Sequence, residues 1–187
     1  MNSDIFLKYL QEITGIKEPL ISDPYLSGGG YHEIKNGGVL KVHADFNRHP
    51  SLDLDRRVNL LLYLNKNWKE EWGGNLELYS QDDLDKPVVK VTPEFNRCVI
   101  FNTTSYTYHG HPEIVSCPEG VSRKSMALYY FSTGRPRSEI SEKHSTMWKE
   151  VKGETFKPDP LTLRKIIKKV TPPIIFDFVK VIAQKLK

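Results

Sequence analysis

The first fifteen residues alternate apolar and polar positions with a helical period. Ser3 or Asp4 is suited to cap the start of a helix here, and Gly15 is suited to end it. Apolar side chains recur at intervals of three and four residues and form one stripe: Phe6, Leu7, Leu10 and Ile13. The pattern predicts a short amphipathic helix over residues 3–15 that packs its apolar stripe on the rest of the chain.

From residue 39 onward the pattern changes to short apolar or alternating runs, which are typical of β-strands. Turn-forming residues separate the runs, and the predicted strands are 39–46, 57–65, 74–80, 88–92, 97–102 and 125–132. Many short strands without intervening helices favour a sandwich or barrel over a parallel sheet. We therefore predict a mainly β fold with flanking helices, in the form of a double-stranded β-helix (jelly roll).

The segment before the first of these strands is rich in glycine. Residues 28–38 read GGGYHEIKNGG and are unsuited to an uninterrupted central strand. The Asn36-Gly37 dipeptide is a strong hairpin-turn signal when extended segments flank it. The segment therefore predicts a hairpin that turns at Asn36-Gly37.

The composition changes after Gly134, where a polar, irregular stretch begins and is followed by a basic, apolar helical pattern. We predict a jelly-roll domain over residues 1–134, with its core at 39–132. Residues 135–187 are predicted to form a strap and a basic amphipathic tail packed on the same domain. A dimer contact, or membrane contact through residues 161–187, is an alternative role for the tail, although membrane contact is not favoured.

Composition restricts the class of protein further. Apolar residues make up 39% and charged residues 27%, which is typical of a globular protein, and the net charge of +4 is concentrated in the C-terminal segment. A nucleic-acid surface would be restricted to that segment, where no known motif supports it, so no nucleic-acid partner is expected. The start of the chain lacks the features of a signal peptide, so a cytoplasmic location is expected. Cys98 and Cys117 are expected to be free thiols without a role, and Cys98 lies in an apolar run that predicts a core position.

One strand carries a candidate metal site. His43 and Asp45 are two residues apart at the end of the predicted strand 39–46, and side chains at that spacing project from the same face. An imidazole and a carboxylate favour Fe(II) over Mg²⁺ or Ca²⁺, which prefer oxygen ligands. His109 and His111 both follow a later strand with equal parity, so spacing alone leaves either as the third ligand. The remaining histidines are expected to be exposed: His32, His49 and His144.

Two adjacent cationic residues lie directly before the last predicted strand, 125–132. Three protein ligands on one face of an octahedron leave positions for a bidentate organic acid and O₂, and a second carboxylate of such an acid needs a fixed cation. Arginine suits this role because its planar fork pairs with carboxylate and keeps its charge. Arg123 and Lys124 have opposite strand parity, so one of them is expected to point inward.

Five segments follow one another between Leu40 and Phe131: VHADF, RVNLLLYLNKNW, GGNLELY, VTPEFNRCVIF and RKSMALYYF. In this order they resemble the prolyl 4-hydroxylase branch of the iron(II)/2-oxoglutarate oxygenases, especially the hypoxia-factor prolyl hydroxylases. Small bacterial and phage members share the HGHPE and CPEG pieces. The resemblance implies iron ligands at His43, Asp45 and His109, with 2-oxoglutarate bound by Arg123 and Tyr63. Separately, Asn59 shares the strand parity of Leu61 and Tyr63 and is expected to line the pocket.

The resemblance also implies the chemistry. Fe(II), 2-oxoglutarate and O₂ are expected as cofactor and co-substrates, with ascorbate as a reductant. The expected reaction hydroxylates a C–H bond, such as that of a prolyl residue in a peptide or protein, and releases succinate and CO₂. Alternatives are the same chemistry on a small molecule, sugar or lipid precursor, or a jelly-roll module that binds metal without turnover. Asp45 favours hydroxylation, since related halogenases carry a small residue in its place.

Overall fold

Two antiparallel five-stranded sheets and one helix make up the part of the chain that the structure, a computed structural model, describes, which is residues 1–151. The predicted helical tail lies outside these residues. The elements are α1 (Asp4–Thr14), β1 (Ile21–Ser22), β2 (Gly30–Ile34), β3 (Leu40–Ala44), β4 (Asp55–Tyr63), β5 (Leu76–Ser80), β6 (Asp83–Val91), β7 (Cys98–Asn102), β8 (Tyr108–His111), β9 (Arg123–Ser132) and β10 (Met147–Trp148), with 3₁₀ turns at Glu70–Trp72 and Arg137–Glu139. This mainly β architecture confirms the predicted fold class.

Helix α1 has the caps that the sequence predicts. The Ser3 hydroxyl accepts a hydrogen bond from the Phe6 amide, and Gly15 ends the helix in the left-handed conformation. Leu10 is fully buried and packs with apolar residues of β4 and β9. Ile13 is 50% exposed, so the buried stripe is narrower than predicted. Burial of Leu10 fixes α1 on the outer face of one sheet.

That sheet has the order β1-β9-β4-β7, and β2 also pairs with β9. Strand β4 is its central element and alternates its side chains between two environments. Val58 and Leu60 face α1 and the apolar cluster beneath it. Asn59 and Leu61 face a cavity on the other side of the sheet. The inner face of this sheet therefore supplies one wall of the cavity.

The second sheet has the order β10-β3-β8-β5-β6. Val42 and Ala44 of β3 are fully buried in an apolar cluster on one face. His43, which lies between them, is paired across the ladder with His109 of β8. Because side chains alternate along a strand, His43 projects from the opposite face to Val42 and Ala44. The pairing places two histidines side by side at the cavity.

The predicted hairpin over residues 28–38 is wrong. β2 pairs with β9, whereas β3 pairs with β8 and β10, so the strands on either side of Asn36-Gly37 belong to different sheets. Gly37 has a left-handed φ of 84°, and its amide donates to the carbonyl of Val115 at 2.7 Å. The dipeptide does form a turn, but a bond to a distant loop directs the chain from one sheet to the other.

Residues 135–151 return to the sheets after β9. Arg135 is buried and donates to the backbone carbonyl of Arg56, and β10 adds an edge strand to β3. The division at residue 134 and the packing of the rest of the tail stay predictions. Within residues 1–151 no helix is long and apolar enough to span a membrane.

Candidate active site

Three predicted ligands converge where β3 and β8 lie side by side. His43 is on β3, Asp45 follows it directly, and His109 is the ladder partner of His43. One ligand atom from each residue lies within 4.8 Å of the others. The two imidazole centroids are 4.5 Å apart. These distances suit one metal ion held by two nitrogens and one carboxylate oxygen.

Backbone carbonyls set the orientation of both imidazoles. Nδ1 of His43 lies 2.7 Å from the Lys41 carbonyl oxygen, and Nδ1 of His109 lies 3.4 Å from that of Thr107. Because a carbonyl only accepts, each Nδ1 carries the proton and each Nε2 keeps its lone pair. The Nε2 atoms lie 3.6 Å and 3.4 Å from the carboxylate oxygens of Asp45. Burial lowers the pKa of His109 to about 4, which leaves its lone pair free at neutral pH.

The Asp45 carboxylate is held by two residues of β4. Asn59 donates to Oδ2 at 2.7 Å, and a terminal nitrogen of Arg56 lies 3.0 Å from the same oxygen. Burial would raise the pKa of Asp45, but contact with His43 and the charge of Arg56 hold it well below its usual range. The residue is therefore an anion aimed at the two imidazoles.

Arg56 is a site residue that sequence reasoning missed. Its guanidinium lies 4.3 Å from the ring centroid of Phe46 and 3.5 Å from that of Tyr129, and it also donates twice to Asn59. Arg56 and Asn59 are three residues apart, so simple alternation places them on opposite faces. A register shift in the ladder between Arg56 and Val58 resets the alternation. The sequence carried no signal for this bulge.

A buried arginine–tyrosine pair lies at the start of β9. Nε of Arg123 donates to the Gly74 carbonyl at 2.6 Å, and a terminal nitrogen lies 3.3 Å from the Tyr63 hydroxyl. Burial raises the pKa of Tyr63, so its hydroxyl keeps its proton. The Lys124 side chain is half exposed and turned away, as the parity argument required of one member of the pair.

One cavity of about 510 Å³ joins these groups, a volume within the range of small-molecule sites. His43, Asp45, His109 and Arg123 all line it, and Asn59 lines it as expected; other lining residues include Tyr31, Leu61, Leu76, His111, Ser125 and Tyr129. The structure thus brings four of the predicted site residues to one cavity, and Tyr63 adjoins it through its contact with Arg123. Their roles as ligands of a metal and a co-substrate stay predictions.

His111 is fully buried, at 1% exposure, and its Nδ1 accepts a 3.2 Å hydrogen bond from the Leu40 amide. Burial lowers the pKa of this imidazole to about 3, with a further contribution from the positive charge of Arg123. The group of metal-ligating atoms found within residues 1–151 does not include it. His111 therefore lines the cavity as a neutral side chain beside the candidate ligands.

Two expectations about exposure are wrong. His49 is buried, not exposed, and its imidazole bonds Asp23 and the amides of Ser51 and Leu52. Cys98 is exposed, not in the core, because its side chain projects from the outer face of the edge strand β7. His32 and His144 are half-buried, so they are also less exposed than predicted. Both cysteines are free thiols, as expected.

Sequence comparison identifies related proteins. A sequence model of the 2OG-Fe(II) oxygenase superfamily matches residues 29–131. Prolyl 3-hydroxylase OGFOD1 of Xenopus laevis is 32% identical over 129 residues, which are 67% of this chain and 22% of that protein. Its Mus musculus counterpart is 31% identical over 85 residues, which are 44% of this chain and 15% of that protein. The chain therefore spans less than a quarter of the length of these relatives.

Structural comparison gives the same family. A crystal structure of a prolyl 4-hydroxylase from Phytophthora capsici superposes with a TM-score of 0.50 and 25% identity, covering 70% of this chain and 40% of that one. The match to the superfamily includes the strands that carry the histidine pair, Asp45 and Arg123. On the matched sequence, the shared fold and the convergent histidines and carboxylate, this chain belongs to the 2OG-Fe(II) oxygenase superfamily.

Proposed function

We propose that this chain is an Fe(II)- and 2-oxoglutarate-dependent dioxygenase that hydroxylates a C–H bond, with a prolyl residue of a peptide or protein as its substrate. One observation carries the proposal: the three metal-ligating side chains and the buried Arg123–Tyr63 pair line or adjoin the same cavity. A metal site alone would suit many functions. The added arginine suits a chelating acid that has a second carboxylate.

The donor set fits ferrous iron. Two neutral imidazole nitrogens and one carboxylate are the donor set of non-haem Fe(II) oxygenases, and three such protein ligands would leave room for a co-substrate on the metal. Activation of O₂ and oxidation of a substrate C–H bond are the chemistry that the iron supplies when it is bound. The chain contributes by fixing the lone pairs of His43 and His109 through their Nδ1 bonds. Asn59 and Arg56 fix the carboxylate of Asp45.

The Arg123–Tyr63 pair fits the distal carboxylate of 2-oxoglutarate. Two of the five guanidinium N–H groups are used by the bonds to Gly74 and Tyr63, and the side chain also lines the cavity. The Tyr63 hydroxyl accepts from Arg123 and can donate its own proton to a carboxylate. Because both groups are buried, a carboxylate placed there exchanges water for a paired cation and strong hydrogen bonds.

The proposed reaction consumes one 2-oxoglutarate and one O₂. One oxygen atom enters succinate as CO₂ leaves, and the other enters the hydroxyl group of the product. The four electrons that reduce O₂ come in pairs from 2-oxoglutarate and from the substrate C–H bond. Ascorbate is proposed as the reductant that restores ferrous iron after unproductive turnover.

Aromatic side chains near the metal site support a prolyl substrate. Tyr31 and Tyr129 line the cavity, and Trp148 is 56% exposed with its ring centroid 4.9 Å from that of His43. Aromatic surfaces of this kind bind proline-containing peptides in other domains. The relatives named above are prolyl hydroxylases, which supports the same substrate class for this chain.

The test begins without oxygen. Fe(II) and 2-oxoglutarate are added to the metal-free protein, and the weak visible metal-to-ligand charge-transfer band is measured. We expect the band in the unmodified protein and its loss in Asp45→Ala. If iron binds but no band forms, the co-substrate does not chelate the metal, and the metal-binding module becomes the better interpretation.

Oxygen and ascorbate are then admitted with proline-containing peptides. The expected products are succinate and a peptide that has gained one oxygen atom, both measured by mass spectrometry. Succinate without any peptide oxidation would contradict the prolyl substrate while leaving the dioxygenase chemistry in place. His43→Ala is the inactive control for both products.

A further inference from the structure

His111 is a buried histidine that the proposed chemistry leaves without a role. It ends β8, two residues after His109, and the two side chains project from the same face of the strand. Both line the cavity. The ligating group formed by His43, Asp45 and His109 leaves His111 out, so its imidazole is available for another partner.

The hydrogen bond at Nδ1 determines which ring nitrogen of His111 carries the proton. The Leu40 amide lies 3.2 Å from Nδ1, and a backbone N–H can only donate. Nδ1 is therefore an acceptor, and the proton is on Nε2. The side chain presents an N–H donor at its far end.

This donor has no partner. Nε2 of His111 is buried and makes no hydrogen bond within residues 1–151. Buried polar groups in folded proteins are almost always paired, because loss of the bond to water is otherwise uncompensated. An unpaired donor on a side chain that lines a ligand cavity indicates that the acceptor arrives with the ligand.

The surroundings of the imidazole indicate an anionic acceptor. Arg123 lines the same cavity as His111 and brings a buried positive charge to it. The Tyr63 hydroxyl is bonded to that guanidinium. A carboxylate in this corner would meet a cation and two neutral donors, and each of its oxygens would have a partner.

We propose that His111 binds the distal carboxylate of 2-oxoglutarate through Nε2–H, as a third donor beside Arg123 and Tyr63. The inference rests on the proposed function and deepens it. In this arrangement the Leu40 amide fixes the tautomer of His111 through its bond to Nδ1. His109 and His111 then have separate roles on one strand. His109 binds the metal, and His111 selects an acid with a second carboxylate.

The test measures anaerobic binding instead of activity. 2-Oxoglutarate is titrated into the Fe(II)-loaded full chain, and the visible band gives its Kd. His111→Asn keeps an acceptor for the Leu40 amide but lacks a donor at the Nε2 position, and His111→Leu removes both. We expect a rise of about tenfold or more in the Kd of both variants, as for the loss of a hydrogen bond to a charged group. His111→Gln places an amide N–H near Nε2 and is expected to bind within a few-fold of the unmodified protein.

Pyruvate is the control ligand, because it is a 2-oxo acid that lacks the distal carboxylate. Its weaker affinity is expected to be equal in the unmodified protein and in His111→Asn. Unchanged 2-oxoglutarate affinity in His111→Asn and His111→Leu would overturn the role of His111 alone. Lost Fe(II) binding in these variants would also overturn it, since His111 would then be a metal ligand. Absence of the band in the unmodified protein would overturn the proposed function together with this one.

Discussion

Asn59 donates a 2.7 Å hydrogen bond to Oδ2 of Asp45, the same oxygen that Arg56 contacts at 3.0 Å. Oδ2 thus already has two protein donors, besides lying 3.4 Å from Nε2 of His109, while Oδ1 has neither donor and lies 3.6 Å from Nε2 of His43. This arrangement favours a carboxylate that binds metal through a single oxygen. It also makes Asn59 an outer partner of the proposed metal site, of the kind that orients a ligand without touching the ion.

Asn59→Leu is therefore expected to weaken Fe(II) binding. Loss of the amide frees the Asp45 carboxylate to rotate, and outer partners of this kind contribute about 10- to 100-fold in metal affinity. Anaerobic titration with Fe(II) against a competing chelator measures the effect. Asn102→Leu changes an exposed asparagine on the neighbouring strand β7 and is expected to leave the affinity unchanged. Equal affinities in the two variants would mean that Asp45 needs no support from Asn59.

Helix α1 allows a test of the core that supports β4. Leu10 is fully buried against Val58 and Leu60, whereas Ile13 on the same helix is half exposed. Leu10→Ala is expected to lower the free energy of unfolding by about 2–5 kcal/mol, because it leaves a cavity under the sheet. Ile13→Ala is expected to cost less than about 1 kcal/mol. Urea denaturation measures both, and equal costs would show that the helix does not pack as described.

Strand alternation predicts most of the residues that line the site, but it does not predict the residues that hold them in place. The parity of His43 and Asp45, and of Arg123 against Lys124, follows from two regular strand segments, and the structure agrees with it. Arg56 was missed because a bulge in β4 breaks the alternation between it and Asn59. The turn at Gly37 was predicted, but its direction depends on a bond to Val115, almost eighty residues away. Local patterns identify strands, whereas bulges and distant bonds decide which strands meet.

Arg123 and Tyr63 provide a prediction about the co-substrate. Arg123→Ala is expected to raise the apparent KM for 2-oxoglutarate by about 100-fold or more, since it removes the buried cation. Tyr63→Phe removes one hydrogen bond to a charged group, worth about 1.5–3 kcal/mol, and is expected to raise KM by about 10- to 100-fold. Succinate release at varied 2-oxoglutarate gives both values.

Lys124→Ala is the matched control, because this neighbouring cation is half exposed and bonds Ser122 instead of lining the cavity. Its KM for 2-oxoglutarate is expected to stay at the unmodified value. An unaltered KM in Arg123→Ala would mean that the distal carboxylate is held elsewhere. A raised KM in Lys124→Ala would mean that the two cations act together on the co-substrate.

Gly74 helps to position the Arg123 guanidinium, which also contacts Tyr63. Its carbonyl accepts from Arg123 Nε, its φ is +66°, and a Cβ at this position would lie 2.9 Å from Cδ of Arg123. Gly74→Ala is therefore expected to displace the guanidinium and raise the Kd of 2-oxoglutarate by about tenfold, because a bidentate pair depends on geometry. Gly120→Ala imposes similar backbone strain at φ +78° where a Cβ meets nothing within 4 Å. Anaerobic titration should show weaker 2-oxoglutarate binding in Gly74→Ala alone, with Fe(II) affinity unchanged in both variants. A comparable loss of 2-oxoglutarate affinity in Gly120→Ala would mean that backbone strain, and not the position of Arg123, causes the effect.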